Sequence, residues 1–351
     1  MKRKMGVKQW GMILLAVCCI SGCKEKPVTE SSAEASVESS AESSAASAES
    51  SAESSAASEE KTSDVDRYAE IMDTSSDSGK LTVYFLDLEV GEEAEDKAGD
   101  SAILISPDGK VMLLDAGHPD AGHLVVDALK DLGVEKIDYL VASHPHIDHI
   151  GGIPEVMDAF PVEETYRSYM EYTTKTYQNY VNALENSEAE IHFVQTGDEF
   201  EFGDKVRVEV LGPEGEIQYP KDFPDNSTEF LNDHSLTLKF TYGETSALFC
   251  GDLYRSQERD YVEQYGEELE ADLVKANHHG KDTSNSKKWI QAVSPQVVVA
   301  MNDKSPNMTV VENYQKEGAE FHHTLLDGVV KVILDDKKTV EVIDQKDSWL
   351  N

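Results

Sequence analysis

Four side chains able to hold a metal or carry a proton fall within six positions. They are His144, His146, Asp148 and His149, in Ser-His-Pro-His-Ile-Asp-His-Ile (143–150). In extended chain, residues two apart point the same way, so His144 and His146 can grip one ion from one side. A turn just after them aims Asp148 and His149 at a second ion alongside. Neutral imidazoles joined by a carboxylate suit zinc, with manganese or iron as harder alternatives. The apolar stretch 137–142 ahead of the cluster reads as a buried strand, and Gly151-Gly152 behind it as a tight exit. A loop that merely happens to be rich in histidine is the ordinary reading. The spacing and both flanks weigh against it.

Three further places supply donors. His234 stands in Asn-Asp-His-Ser (232–235), directly before a strand. Asp252 follows across one hairpin, after Gly251, and His278-His279 come at the end of the next strand. Singly, His234 reads as a strand-edge histidine and Asp252 as a turn aspartate. All of them stand at strand ends, where loops from both halves of a domain can meet on one edge.

Six segments carry a resemblance. They are Gly-Asp-Ser-Ala-Ile-Leu-Ile (99–105), Leu-Leu-Asp-Ala-Gly (113–117), Ser-His-Pro-His-Ile-Asp-His-Ile-Gly-Gly (143–152), Ser-Leu-Thr-Leu (235–238), Phe-Cys-Gly-Asp (249–252) and Asn-His-His-Gly-Lys-Asp-Thr-Ser (277–284). In this order they resemble the metallo-β-lactamase superfamily. Within it they are similar to the branch holding the extracytoplasmic domain of the ComEC DNA-uptake channel proteins. The His-His-Gly loop also resembles that of teichoic acid phosphorylcholine esterase. The opening of that branch is interrupted here, with Asp87-Leu88 separated from Gly99-Asp100 by an acidic insert.

The resemblance spans about 81–343 and implies an α/β fold, a four-layer αββα sandwich, with two divalent ions, zinc first. It assigns His144, His146 and His234 to one metal and Asp148, His149 and His279 to the other, with Asp252 bridging them. Two such ions bring the pKa of a shared water towards neutrality, making it a nucleophile for phosphorus or carbonyl carbon. Asp148 would also orient that water. His278 would face the substrate, to stabilise an oxyanion or protonate a leaving group. Asp115 would hydrogen-bond the metal loop without binding metal, and His118 could join it.

The elements needed to position these residues are readable. A first strand covers 81–88, and a hairpin turns on Pro-Asp-Gly-Lys (107–110). A helix over 124–132 ends on Gly133. A second hairpin, 236–241 with 246–250, leads to Asp252, and helices over 256–265, 286–293 and 310–317 alternate with strands. The tyrosine-rich run Thr165–Leu184 reads as a helix packing its rings, or as an insertion lending them to a ligand at the site mouth. Together these suggest two sheets face to face with helices outside.

Ahead of this domain, which is placed at 80–351, lie two other segments. Residues 1–23 combine Lys2, Arg3, Lys4 and Lys8 with an apolar run from Trp10 to Ile20, short of the ~20 residues a spanning helix needs. They end in Ile-Ser-Gly-Cys, which resembles a lipobox and implies lipid on Cys23. Residues 24–79 are rich in Ser, Ala and Glu, and read as a disordered tether with a reach of roughly 40 Å. Of the four cysteines only Cys250 falls in the domain, so no disulfide framework is expected.

The chain carries 68 acidic against 31 basic residues, a formal −37. Binding nucleic acid as a polyanion calls for a basic face, so nucleic acid is not the expected partner. The expected protein is a lipid-anchored, extracytoplasmic hydrolase of a small or cell-envelope phosphoester. The alternative is a tethered, metal-dependent accessory protein, related to the DNA-uptake domains, with little turnover.

Overall fold

Alternation of apolar and polar side chains makes the strands, and their two buried faces make the layers. The structure, a computed structural model, describes residues 67–91, 97–347 and 349–350. The leader with Cys23 and most of the tether therefore lie outside the described residues.

The first sheet runs β15-β14-β1-β2-β3-β4-β5-β6. Its strands are β1 Leu81–Phe85, β2 Ala102–Ile105, β3 Val111–Leu114, β4 Ile137–Ala142, β5 Val162–Arg167, β6 Glu190–Phe193, β14 Val330–Leu334 and β15 Val340–Asp344. The second runs β13-β12-β11-β10-β9-β8-β7. Its strands are β7 Glu199–Phe202, β8 Val206–Gly212, β9 Thr237–Tyr242, β10 Thr245–Phe249, β11 Leu273–Lys275, β12 Val297–Ala300 and β13 Glu320–His323. Each sheet opens with antiparallel pairs and ends in parallel ones: β3 to β6 in the first, β10 to β13 in the second. Parallel strands end on one edge, and there the two sheets present their loops together.

Leu81, Val83 and Phe85 point between the sheets and meet Phe240 and Phe249; Phe85 stacks on Phe249 with centroids 5.7 Å apart. Tyr84, Ile103 and Leu113 point outward onto the helix Gly122–Asp131 through Val125 and Leu129. Leu248, Val274 and Val298 do the same on the other side, against Trp289, Ile290 and Tyr314. The order is helix, sheet, sheet, helix, as the resemblance implied.

Two expectations change. The folded body begins before Lys80: residues 67–71 are helical, and Ile71 and Met72 are buried against the first sheet. Asp77 pairs with the buried Lys331 at 2.8 Å, and Lys331 Nζ also donates to the Asp73 carbonyl. The polar run 73–78 hides this segment, because its two apolar anchors stand alone among charged and hydroxyl residues. The run 165–184 is also not one helix. Tyr166 completes β5, and a helix forms only over Lys175–Asn186, capped by Thr174. Tyr177 and Tyr180 are buried there, with the Arg167 guanidinium 5.4 Å from each ring. β5 wins because it pairs in parallel register with both β4 and β6.

Candidate metal centre

Every segment of the site leaves a strand at the shared edge. Asp115 follows β3, residues 143–149 follow β4, Asp252 follows β10 and the His278-His279 turn follows β11. Asp100 precedes β2. Backbone bonds lock these loops: Asp100 N donates to the Asp148 carbonyl, Ala116 N to that of His149 and Gly117 N to that of Asp100. The approach is so close that a Cβ on Gly99 would lie 1.7 Å from the Asp148 oxygen, and one on Gly152 2.1 Å from that of Ala116. Glycine is the only residue that fits.

Three imidazoles share one arrangement, with Nδ1 tied back and Nε2 turned inward. His149 donates Nδ1–H to Asp115 at 2.8 Å, and its Nε2 stands 3.4 Å from Asp252 Oδ1. His279 donates Nδ1–H to Asp100 at 2.8 Å, and its Nε2 lies 3.1 Å from Asp252 Oδ2 and 3.3 Å from Asp148 Oδ2. The Ser143 hydroxyl donates to Asp115 at 2.5 Å, so it accepts from Nδ1–H of His144 at 3.1 Å. That leaves His144 Nε2 as a lone pair, 2.9 Å from Nδ1 of His146. Asp100, His149, Asp252 and His279 each place a ligand atom within 4.8 Å of the others.

The structure thus brings together His144, His146, Asp148, His149, Asp252, His278, His279 and Asp115. It does not bring in two others. The Nδ1–H of His234 donates to the Phe230 carbonyl at 2.7 Å and its ring lies on Phe230. Among the described residues it shares no hydrogen bond or ring contact with His144 or His146. Its neighbour Ser235 does reach the site, accepting from Asp252 N at 3.2 Å. His118, expected beside Asp115, instead caps the turn Pro119–Ala121 by accepting from Asp120 N. A proline-led turn needs such an acceptor, and His118 Nδ1 is the one in place.

His278 and His279 diverge for a reason other than extended chain. Both adopt left-handed backbone, with φ of 47° and 54°, at a cost on the order of 1–3 kcal/mol each. Buried bonds hold the turn. Glu258 accepts from Asn277 and from the backbone of Asn285 and Ser286, and Asn302 donates to the His279 carbonyl. His278 therefore stacks on Tyr254 and meets Thr283 Oγ1 at 2.5 Å, with Nε2 3.7 Å from Asp252.

Charge follows this geometry. Burial alone pushes His279 down, but the carboxylates of Asp100 and Asp252 together raise it to about 9. Burial of His149 is likewise outweighed by Asp252 and Asp115, which hold it well above its usual value. Asp252 and Asp148 are held well below the carboxylate range: burial is overcome by His279, His149 and Lys275 at Asp252, and by His279, His149 and Lys97 at Asp148. Burial and its histidine neighbours keep His144 well below the usual range, and burial lowers His278 to about 3. Protons stand on the imidazoles beside the carboxylates, where cations would replace them.

Three residues were not singled out from sequence. Asp100 orients His279. Lys275, wholly buried, pairs with Asp100 and lies 3.5 Å from Asp252. Lys97 meets Asp148 at 2.7 Å. Lys275 is the lone charge in an apolar strand and Lys97 the lone base in an acidic loop, and both signals are visible in the sequence.

The donor set fits divalent metal. The Nε2 atoms of His149 and His279 are buried without hydrogen-bond partners while their Nδ1 atoms are engaged. That is the state of imidazoles oriented for a cation.

Comparison with known proteins agrees. The family model described as Metallo-beta-lactamase superfamily matches residues 98–300. The chain is similar to competence protein ComA of Neisseria gonorrhoeae, 28% identical over 66% of this chain and 30% of that protein. It is similar to recombination protein 2 of Haemophilus influenzae, 25% identical over 66% of this chain and 27% of that one. It thus spans less than a third of these relatives' length. Among solved structures, the metallo-beta-lactamase fold protein YhfI of Bacillus subtilis is 14% identical. That likeness covers 70% of this chain and 95% of YhfI, with a TM-score of 0.43. With more than half its length matched by the family model, the chain belongs to the metallo-beta-lactamase superfamily.

Proposed function

We propose that this cluster is the dinuclear centre of a hydrolase acting on a small or cell-envelope phosphoester. The observation that carries the reading is the pair of orphaned Nε2 atoms, on His149 and His279, turned by Asp115 and Asp100 onto one carboxylate, Asp252. His144 and His146 would hold one ion. Asp148, His149 and His279 would hold the other, with Asp252 shared. Two divalent ions, zinc before manganese or iron, would supply an acidified water and polarise the phosphoryl oxygens.

The chain's own groups do the rest. Asp148 orients the attacking water and accepts its hydrogen bond. His278 is neutral near pH 7 because its pKa lies at about 3. With Nδ1 taking the Thr283 hydroxyl, its Nε2–H donates to the developing oxyanion rather than protonating the leaving group. Lys97, paired with Asp148, and Lys281 beside it would meet a phosphoester's free oxygens; burial and Lys97 lower Lys281 to about 8. Tyr172, 6.5 Å from the His146 ring, opens an aromatic wall that continues through Phe223 and Phe230. Such a wall suits an organic substituent on the ester.

The net charge of −37 disfavours a polyanionic strand as substrate. The lipobox and tether favour an enzyme held at the outer face of a membrane. No helix among the described residues is long and apolar enough to cross one. Relatives named for competence favour the second reading, an accessory domain with little turnover. The two readings separate on a panel of chromogenic phosphodiester, phosphomonoester and thioester. The hydrolase reading expects metal-dependent turnover, greatest on the diester. The accessory reading expects none from the metal-loaded chain.

A further inference from the structure

A second constellation lies outside this site, where the outermost strands of the two sheets come together. His322 is on β13, the edge of the second sheet, and Asp344 is on β15, the edge of the first. Asp327 ends the short helix Thr324–Asp327 that leads from one sheet to the other. Each of the three offers a ligand atom within 4.8 Å of the others.

These side chains are poorly satisfied for their depth. His322 is 3% exposed and Asp327 1%. Neither nitrogen of His322 has a hydrogen-bond partner, nor has Oδ1 of Asp327 or of Asp344. The other oxygen of Asp327 is fully used, accepting from His323 N at 2.7 Å and from Trp349 Nε1 at 3.1 Å. Buried polar atoms left unpaired are costly, so this many in one place need an explanation.

An ion pair alone explains them incompletely. Nδ1 of His322 is 3.0 Å from Asp344 Oδ1, which, against the effect of burial, raises the imidazole above its usual range, but the pair is poorly aligned as a hydrogen bond and leaves Oδ1 of Asp327 and Nε2 of His322 unpartnered. Nitrogen and oxygen at that separation, with Asp327 Oδ1 beside them, are spaced as ligands of one ion are. Nε2 of His322 faces Glu320 at 3.4 Å.

We propose that His322, Asp327 and Asp344 form a separate structural site for one divalent ion that clips the edges of the two sheets. One imidazole and two carboxylates suit Zn²⁺ or Mn²⁺ rather than a sulfur-loving ion. The clip also supports the main site from behind. Asn302 donates Nδ2–H to the His279 carbonyl, and its backbone N–H donates to Thr324 Oγ1, at the start of the helix carrying Asp327.

The test counts metal in the full chain after chelation and re-equilibration with Zn²⁺. His322→Asn and the isosteric Asp344→Asn should each bind one equivalent fewer than wild type, and should be less protected by Zn²⁺ against thermal unfolding. Both should keep the metal-dependent activity of the main site, so failure of the hydrolase reading would leave this result intact. Wild-type metal content in a folded Asp344→Asn protein overturns the site. If both substitutions prevent folding, Co²⁺ added to the unaltered chain is the arbiter. It should quench the emission that Trp349→Phe removes, and unchanged Trp349 emission overturns the site.

Discussion

Asp100 holds Nδ1 of His279 at 2.8 Å and so turns Nε2 of the same ring onto Asp252. Asp115 does the same for His149, at the same distance, from the end of the neighbouring strand β3. Two carboxylates thus orient the two imidazoles that face the shared one. Asp115→Asn should lower metal affinity by about 10–100-fold. Asp100→Asn should do at least as much, because Lys275 then loses its partner. Isothermal titration with Zn²⁺ reads both; wild-type affinity in either would remove that residue from its role.

His278 and His279 are adjacent but predicted to fail differently. His278→Ala should keep its metal and lose turnover by about 10²–10³-fold, the usual worth of one oxyanion donor. His279→Ala should lose metal. The reverse pattern, with metal lost from His278→Ala and retained in His279→Ala, would exchange their roles.

Metal-free protein should show a signature of His279 in its pH dependence. Its pKa in the folded protein, about 9, is raised above the ordinary imidazole value of about 6.5. A raised value favours folding while the proton is bound, so this stabilisation is complete below about 6.5 and lost as pH climbs to about 9. Zn²⁺ competes with the same proton, so its affinity should rise over that interval. Denaturant midpoints of chelated protein at several pH values check the first statement. A midpoint that rises from pH 6.5 to 9 contradicts it, and His279→Ala should flatten the slope.

That the folded body begins before Lys80 is equally measurable. Removing residues 67–79 exposes the surface that buries Ile71 and strips Lys331 of Asp77. Losing the partner of a buried charge costs on the order of 3–5 kcal/mol, and uncovering an isoleucine site adds about 1.5–3 kcal/mol. A chain starting at Lys80 should therefore unfold at clearly lower denaturant than one starting at 67. Equal midpoints would show the segment to be a passenger.

Much of this was legible because periodicity and punctuation are local. The buried strand Ile137–Ala142, its histidine loop and the glycine exit lie in consecutive residues, and the hairpin leading to Asp252 is similarly compact. What escaped depends on distance. Asp100 acquires its role from His279, far along the chain, and Lys331 acquires its partner from a polar stretch that looks like linker. The divergence of His278 and His279 rests on left-handed backbone held by Glu258 and Asn285, which spacing does not encode. β6 and β7 escape because each is only four residues long, too short for its alternation to stand out, although Phe202 of β7 enters the core.

The central claim is that Asp252 is shared by two ions that hydrolysis requires. Bound metal and phosphodiester turnover should therefore be measured on the same samples of wild type and Asp252→Ala, before and after chelation. The account predicts that wild-type turnover disappears with its metal and returns on remetallation, while Asp252→Ala loses metal and stays inactive throughout. Turnover that survives complete chelation, or an Asp252→Ala protein with full metal content and activity, would contradict it.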